Sequence, residues 1–328
     1  MKKNGLLLIL LVVFFYAFIA IGCEQKALTP EEASDPDRNQ IENDGSMMVV
    51  DQMGREVILA GVPQKIISLS PSNTEIAFAL GLADRLVGVT DYCNYPLEAL
   101  EKEVIGGFAT PNIERIIELE PDLLLASTIH EEVINQFDAL GIPVLVIESA
   151  NLEELFTSIS LVAELAGVSD QGESLISSMQ LQIKSIEETV SQINDDQRVL
   201  VYYEVYSDPL MSAGNSVFIN EIIELAGGIN IFKDIDENYP QISAEVVVER
   251  QPQVILYPDY HGTAEMVIEA MTSRPGWESI PAVIEGRVYA ISDDAFARPG
   301  PRVVNAVEEA AALFYPELFN DSSCNCCD

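Results

Sequence analysis

Residues 171–194 read QGESLISSMQLQIKSIEETVSQIN, and the rest of the chain is organised around them. The stretch has no proline, and its one glycine, Gly172, stands near the start. Leu175, Ile176, Met179, Ile183, Ile186, Val190 and Ile193 recur at helical spacing with polar residues between. The pattern predicts a single helix over residues 170–193, which at ~1.5 Å per residue would reach roughly 36 Å, the width of a small domain. Blocks of similar size flank it, 47–168 before and 195–319 after, with residues 169–194 as the connecting element. The expected fold is α/β: two similar lobes with central parallel sheets, joined by one long interdomain helix, with a ligand cleft between the lobes.

The flanking blocks support that reading. A hairpin is expected over residues 48–59, with Gly54 in the turn. Apolar runs at 65–69, 86–89, 104–105, 122–126 and 144–147 alternate with helical patterns at 73–80, 113–119 and 131–140. Strands that are apolar throughout imply a parallel sheet buried on both faces. Ser72 and Glu75 have the spacing of a capping box for the first of these helices. After the long helix the alternation restarts, with strands at 198–205, 253–257 and 287–291 and helices at 216–226, 244–250, 263–271 and 302–315.

A constant offset of 131 residues relates Glu114 to Glu245, Pro121 to Pro252 and His130 to His261 (245 − 114, 252 − 121, 261 − 130). The two lobes therefore read as copies of one unit. Asn112 and Ser243 are both suited to cap a helix, which puts Glu114 and Glu245 in the first turn at matching places. A carboxylate there stabilises a helix by about 0.3–1 kcal/mol through the macrodipole, and that alone can account for it. The other reading is a pair of symmetric carboxylates that dock a symmetric basic partner. His130 and His261 each follow a core strand, where α/β folds bind ligands; they read either as polar surface or as axial ligands of a metal macrocycle.

Composition narrows the function. Lys plus Arg number 17 against 53 Asp plus Glu, for a formal net charge of −36. That excludes nucleic acid as a partner, because phosphates call for basic patches. Two histidines cannot make a three-histidine zinc site. Nor does the chain contain a nucleophile elbow, an HExxH zinc motif or a glycine-rich phosphate loop. The first 23 residues have the form of an export signal: Lys2 and Lys3, then an apolar run over 5–21. Residues 24–46 are polar and acidic, as in a flexible linker. Cys324, Cys326 and Cys327 crowd the tail 320–328 without a structural zinc spacing.

Several separated motifs keep one order: 66–75 (IISLSPSNTE), 88–92 (GVTDY) with Tyr95-Pro96, 120–122 (EPD), 227–232 (GGINIF) and 298–302 (RPGPR). Over about residues 47–319 the chain resembles the helical-backbone substrate-binding proteins of ABC importers, and among them most resembles the cobalamin-binding members. Gly22-Cys23 resembles a lipobox, with Ala20 where Leu is usual, which implies a lipidated Cys23 and an extracytoplasmic protein tethered to the membrane. The resemblance implies partners, an ABC permease with its ATPase subunits, and a transported small molecule in place of a cofactor. It also implies little closure, because the long helix resists hinging.

Residue by residue, the resemblance assigns Tyr92 to a cleft tyrosine, and Phe108 and Tyr239 to positions where cobalamin binders carry Trp. Asp293 and Arg298 match a polar pair that holds the ligand's edge. Near Thr128, where an aromatic wall is implied, this chain has no aromatic. Glu114 and Glu245 match the carboxylates that meet permease arginines. A corrinoid or porphyrin is a flat ring with a polar fringe, and aromatics offer stacking area at low entropic cost. Haem would place Arg298 on a propionate and His130 or His261 on iron. A ferric siderophore would draw on Arg298, Arg302 and Arg274. An extracytoplasmic enzyme acting on a macrocycle and an adhesion module are the readings from other classes.

Overall fold

The structure, a computed structural model, describes residues 46–259 and 264–319. Cys23, His261, Cys324, Cys326, Cys327 and the expected signal lie outside the described residues, as does the expected linker apart from Ser46.

The expected hairpin forms as β1 (Met47–Val50) paired antiparallel with β2 (Glu56–Leu59). Asp51 closes its turn, accepting from the backbone N–H of Met53 at 3.0 Å and of Arg55 at 2.9 Å. The first lobe continues with β3 (Ile66–Ser68), α1 (Pro71–Ala79), β4 (Leu86–Val89), β5 (Glu103–Val104), α2 (Ile113–Leu119), β6 (Leu123–Ala126), α3 (Glu131–Ala139) and β7 (Val144–Val146). Its strands run β5-β4-β3-β6-β7, every neighbouring pair parallel. The strands β3, β6 and β7 are buried along their whole length, which is why they read as continuous apolar runs.

Two helices then link the lobes, α4 (Leu152–Leu165) and α5 (Ser169–Val190). Helix α4 is not among the sequence expectations, although Asn151 caps it and Leu152, Leu155, Ile159 and Val162 line one buried face. Helix α5 is the long element that residues 171–194 announced. It has 22 residues and ends at Val190, three residues before the expected stop. Met179, Ile183, Ile186 and Val190 bury one face against α4 and, in the second lobe, against the helix Val303–Phe314. Burying each such side chain contributes about 1.5–3 kcal/mol. Gly172 lets α4 and α5 approach: a Cβ there would stand 2.6 Å from the Cβ of Ala163. One apolar core runs continuously from the first lobe through α4 and α5 into the second.

The second lobe contains β8 (Leu200–Ser207), β9 (Leu210–Ser212), α6 (Phe218–Leu225), β10 (Ile229–Asn230), α7 (Ala244–Arg250), β11 (Val254–Pro258), α8 (Ala264–Thr272), α9 (Pro281–Ile284), β12 (Val288–Ile291), α10 (Asp293–Ala297), α11 (Val303–Phe314) and α12 (Pro316–Phe319). The order β10-β8-β11-β12 is parallel throughout, with β9 added antiparallel to β8. The repeat is visible here. Helices α2 and α7 both have seven residues, and both end on a non-glycine residue in the left-handed region, Glu120 at φ 50° and Gln251 at φ 47°. Strands β6 and β11 follow each at the same distance.

One local expectation is corrected. The N-cap of α1 is Ser70, not Ser72: its hydroxyl oxygen accepts from the Asn73 N–H at 3.3 Å, and Pro71 occupies the first turn. The Ser72–Glu75 capping box does not form, because the Glu75 carboxylate is turned inward to meet Arg302 of the other lobe.

Candidate functional site

Parallel strands of the first lobe end at one edge, and the loops that leave them build a cleft of 370 Å³. Ser70 follows β3, Tyr92 follows β4, Ser127 follows β6, and Ile147 to Ser149 follow β7. This is the carboxyl edge, where open α/β sheets bind ligands. The second lobe supplies Ala297, Arg298 and Pro299, the segment that leaves α10. The cleft therefore lies between the lobes.

Of the residues singled out in the sequence, the fold brings Tyr92, Phe108 and Arg298 together on this lining. Tyr92 is exposed to it, at 63% of its surface. Tyr239 is exposed on the second lobe between β10 and α7, and is not part of the lining. Asp293 is the first residue of α10. The carboxylate seated on Arg298 is that of its neighbour Asp294, at 2.6 Å. Arg298 also donates to the Asn94 side-chain oxygen at 2.7 Å, and the Asn94 amide donates back to Asp294 at 3.0 Å. Arg298 thus reaches the cleft already joined to both lobes.

Behind it lies the Glu75 pair. Arg302 grips the Glu75 carboxylate with two donors, Nε at 2.8 Å and Nη2 at 2.5 Å, and packs over the Tyr95 ring at 4.1 Å. Burial pushes the Glu75 carboxyl above its usual range, and Arg302 and Arg298 pull it part of the way back.

His130 is not placed to ligate a metal. The residue is 2% exposed, and both ring nitrogens are engaged. The Ser127 N–H donates to Nδ1 at 3.1 Å, and Nε2 meets the Phe108 carbonyl oxygen at 2.7 Å. A backbone N–H can only donate and a carbonyl can only accept, so the ring is the neutral Nε2–H tautomer. Burial lowers its pKa, which favours the same form. The ring also fixes Phe108, edge-on at 5.3 Å between centroids. The post-strand position flagged His130, but whether its ring faces the ligand or the core depends on packing. Among the described residues no group of three His, Cys, Asp or Glu side chains is arranged to hold a metal ion.

Sequence reasoning missed the polar floor made by Ser70, Asn73, Ser127 and Ser149, and it missed Glu148. The signal was available, since each lies just beyond a parallel strand or in the first turn of α1. Glu148 is held by Thr128, whose N–H and hydroxyl both donate to Oε2, at 3.1 and 2.9 Å.

Away from the cleft, Glu114 and Glu245 are both exposed in the first turns of α2 and α7. Hydrogen bonds from its own N–H and from the Ser243 hydroxyl hold the Glu245 carboxyl below its usual range.

The family model described as "Periplasmic binding protein" matches residues 66–295, which take in the whole first-lobe lining of this cleft and most of the second lobe. The chain belongs to that family. An uncharacterised ABC transporter substrate-binding lipoprotein of Bacillus subtilis, YvrC, is 32% identical over 98% of this chain and 99% of its own. A vitamin B12-binding protein of Vibrio cholerae is 31% identical over 75% of this chain and 87% of its own. Among solved structures, the periplasmic heme-binding protein RhuT from Roseiflexus sp. RS-1 superposes with a TM-score of 0.69 at 27% identity, over 77% of this chain and 98% of that one. For a periplasmic binding protein, the two-lobed parallel α/β architecture and the helix α5 between the lobes are the expected frame, and both are present.

Proposed function

We propose that this periplasmic binding protein captures cobalamin or a related corrinoid outside the cytoplasm and delivers it to an ABC importer. The cleft lining carries the reading: Tyr92 and Phe108 offer ring surface beside a floor of serine hydroxyls and the Asn73 amide. That combination suits a flat macrocycle whose fringe is neutral and rich in amides. The likeness to a vitamin B12-binding protein points the same way. On this reading Tyr92, Phe108 and Arg298 contact the ligand, with Tyr239 and Asp293 on the facing lobe. Cys23 carries the lipid anchor. Glu114 and Glu245 orient the protein on the permease, since opposed charge sets the register of two surfaces. The protein is a carrier and not an enzyme.

Haem is the second reading, and the likeness to RhuT favours it. The engaged ring of His130 weighs against it, leaving His261 as the histidine for iron. Calorimetric titration of the full-length protein with cyanocobalamin tests the proposal. Saturable binding with one ligand per chain is the expected result. No heat and no corrinoid absorbance on the desalted protein would sink the corrinoid reading, and hemin would be titrated next.

A further inference from the structure

We infer that Glu148 determines specificity in this cleft, selecting macrocycles fringed with hydrogen-bond donors over those fringed with carboxylates. The inference rests on the macrocycle reading and names a residue that reading does not use. Among the described residues, Glu148 and Arg298 are the two charged members of the lining. Arg298 is already neutralised by Asp294 at 2.6 Å, so of these two charges the one without an ion-pair partner among the described residues is that of Glu148.

The carboxylate is also fixed. Its backbone N–H donates to the Gln52 side chain, and both Thr128 donors converge on Oε2. Among the described residues those two bonds go to one oxygen, and Oε1 is the oxygen left for a ligand donor. Thr128 lies near the position where the resemblance implied an aromatic wall. Here the short polar side chain holds an anion at the wall instead. A ring filling the cleft displaces water and lowers the local dielectric, which strengthens both attraction to an amide N–H and repulsion of a carboxylate.

The test compares cyanocobalamin with its b-, d- and e-monocarboxylic acids, in which one fringe amide is hydrolysed, on the full-length protein and on its Glu148→Gln variant. Gln keeps an oxygen for Thr128 and removes the charge, and matching thermal melts would show that the wall is intact. For at least one isomer the unaltered protein should prefer the amide by about tenfold, and Glu148→Gln should reduce that preference to about twofold or less. Discrimination of equal size in the two proteins, or none in either, overturns the role of Glu148 while leaving corrinoid binding in place. If no corrinoid binds, the cobalamin reading fails by itself, and hemin against hemin dimethyl ester puts the same question to the same two proteins. A preference for the ester that is lost in Glu148→Gln supports the inference. An unchanged preference, or no binding of any of these ligands, overturns it.

Discussion

The two lobes are copies of one helix–strand unit, yet they neutralise a buried glutamate differently. Glu75 in the first lobe and Glu204 in the second are 2% and 4% exposed, and each is gripped by a two-donor arginine. Glu204 takes Arg274 from its own lobe, at 2.5 and 2.8 Å, with Tyr202 donating at 3.2 Å and the Trp277 ring 4.6 Å from the guanidinium. Glu75 takes Arg302 from the other lobe, 227 residues away. The same chemistry, at positions the repeat does not relate, is local in the second lobe and a bridge to the second lobe in the first. Together with α5 and the Asn94–Arg298 bond, that bridge ties the two lobes together beside the cleft. A second asymmetry follows: the first lobe lines most of the cleft, and the second contributes the segment 297–299.

The docking proposal treats the lobes as equivalent, so it is the strongest way to break the comparison. Replacing Glu114 and Glu245 together with Ala should lower corrinoid uptake by about tenfold or more while ligand affinity is unchanged. The two single variants should lose similar amounts. Unchanged uptake in the double variant would remove the docking role, and very unequal singles would show that the permease distinguishes the copies.

The arginines come next. Arg302→Ala and Arg274→Ala each strand a buried carboxylate and should cost about 3 kcal/mol in denaturant unfolding. Hydrogen exchange separates them. Arg302→Ala should deprotect amides in both lobes around the junction, whereas Arg274→Ala should act within the second lobe. Identical exchange maps would mean that the Glu75 pair does not couple the lobes.

The smallest effect concerns the caps. Asn112 Oδ1 accepts from the Arg115 N–H at 3.0 Å, whereas the Ser243 hydroxyl makes no capping bond to its helix and serves Glu245. Asn112→Ala should therefore cost about 1 kcal/mol and Ser243→Ala a few tenths, as read from unfolding midpoints. Equal losses would show that the two caps are the same after all.

Much of this architecture was legible before any coordinates. Helices α2 and α7 were read to the residue, and α5 to within three residues. Their signals are a cap, a periodic apolar face and a stop, all within one segment. The helix α4 was passed over although it has the same kind of signals. Of the cleft, Tyr92, Phe108 and Arg298 were named and do share a lining, while Glu148 and the serine floor were not named.

Spacing along the chain accounts for the alternation of strands and helices, the 131-residue repeat, the long connecting helix and the matched pair Glu114 and Glu245. Hydrogen bonds and periodicity act there between residues a few positions apart. Tertiary structure alone decided that Glu75 abandons its capping box for Arg302, that the His130 ring turns to Ser127 and Phe108, that Asp294 occupies Arg298, and that Thr128 holds Glu148 at the wall. A polar side chain near a fold's edge has several partners within reach, and burial selects among them once distant strands and helices have packed.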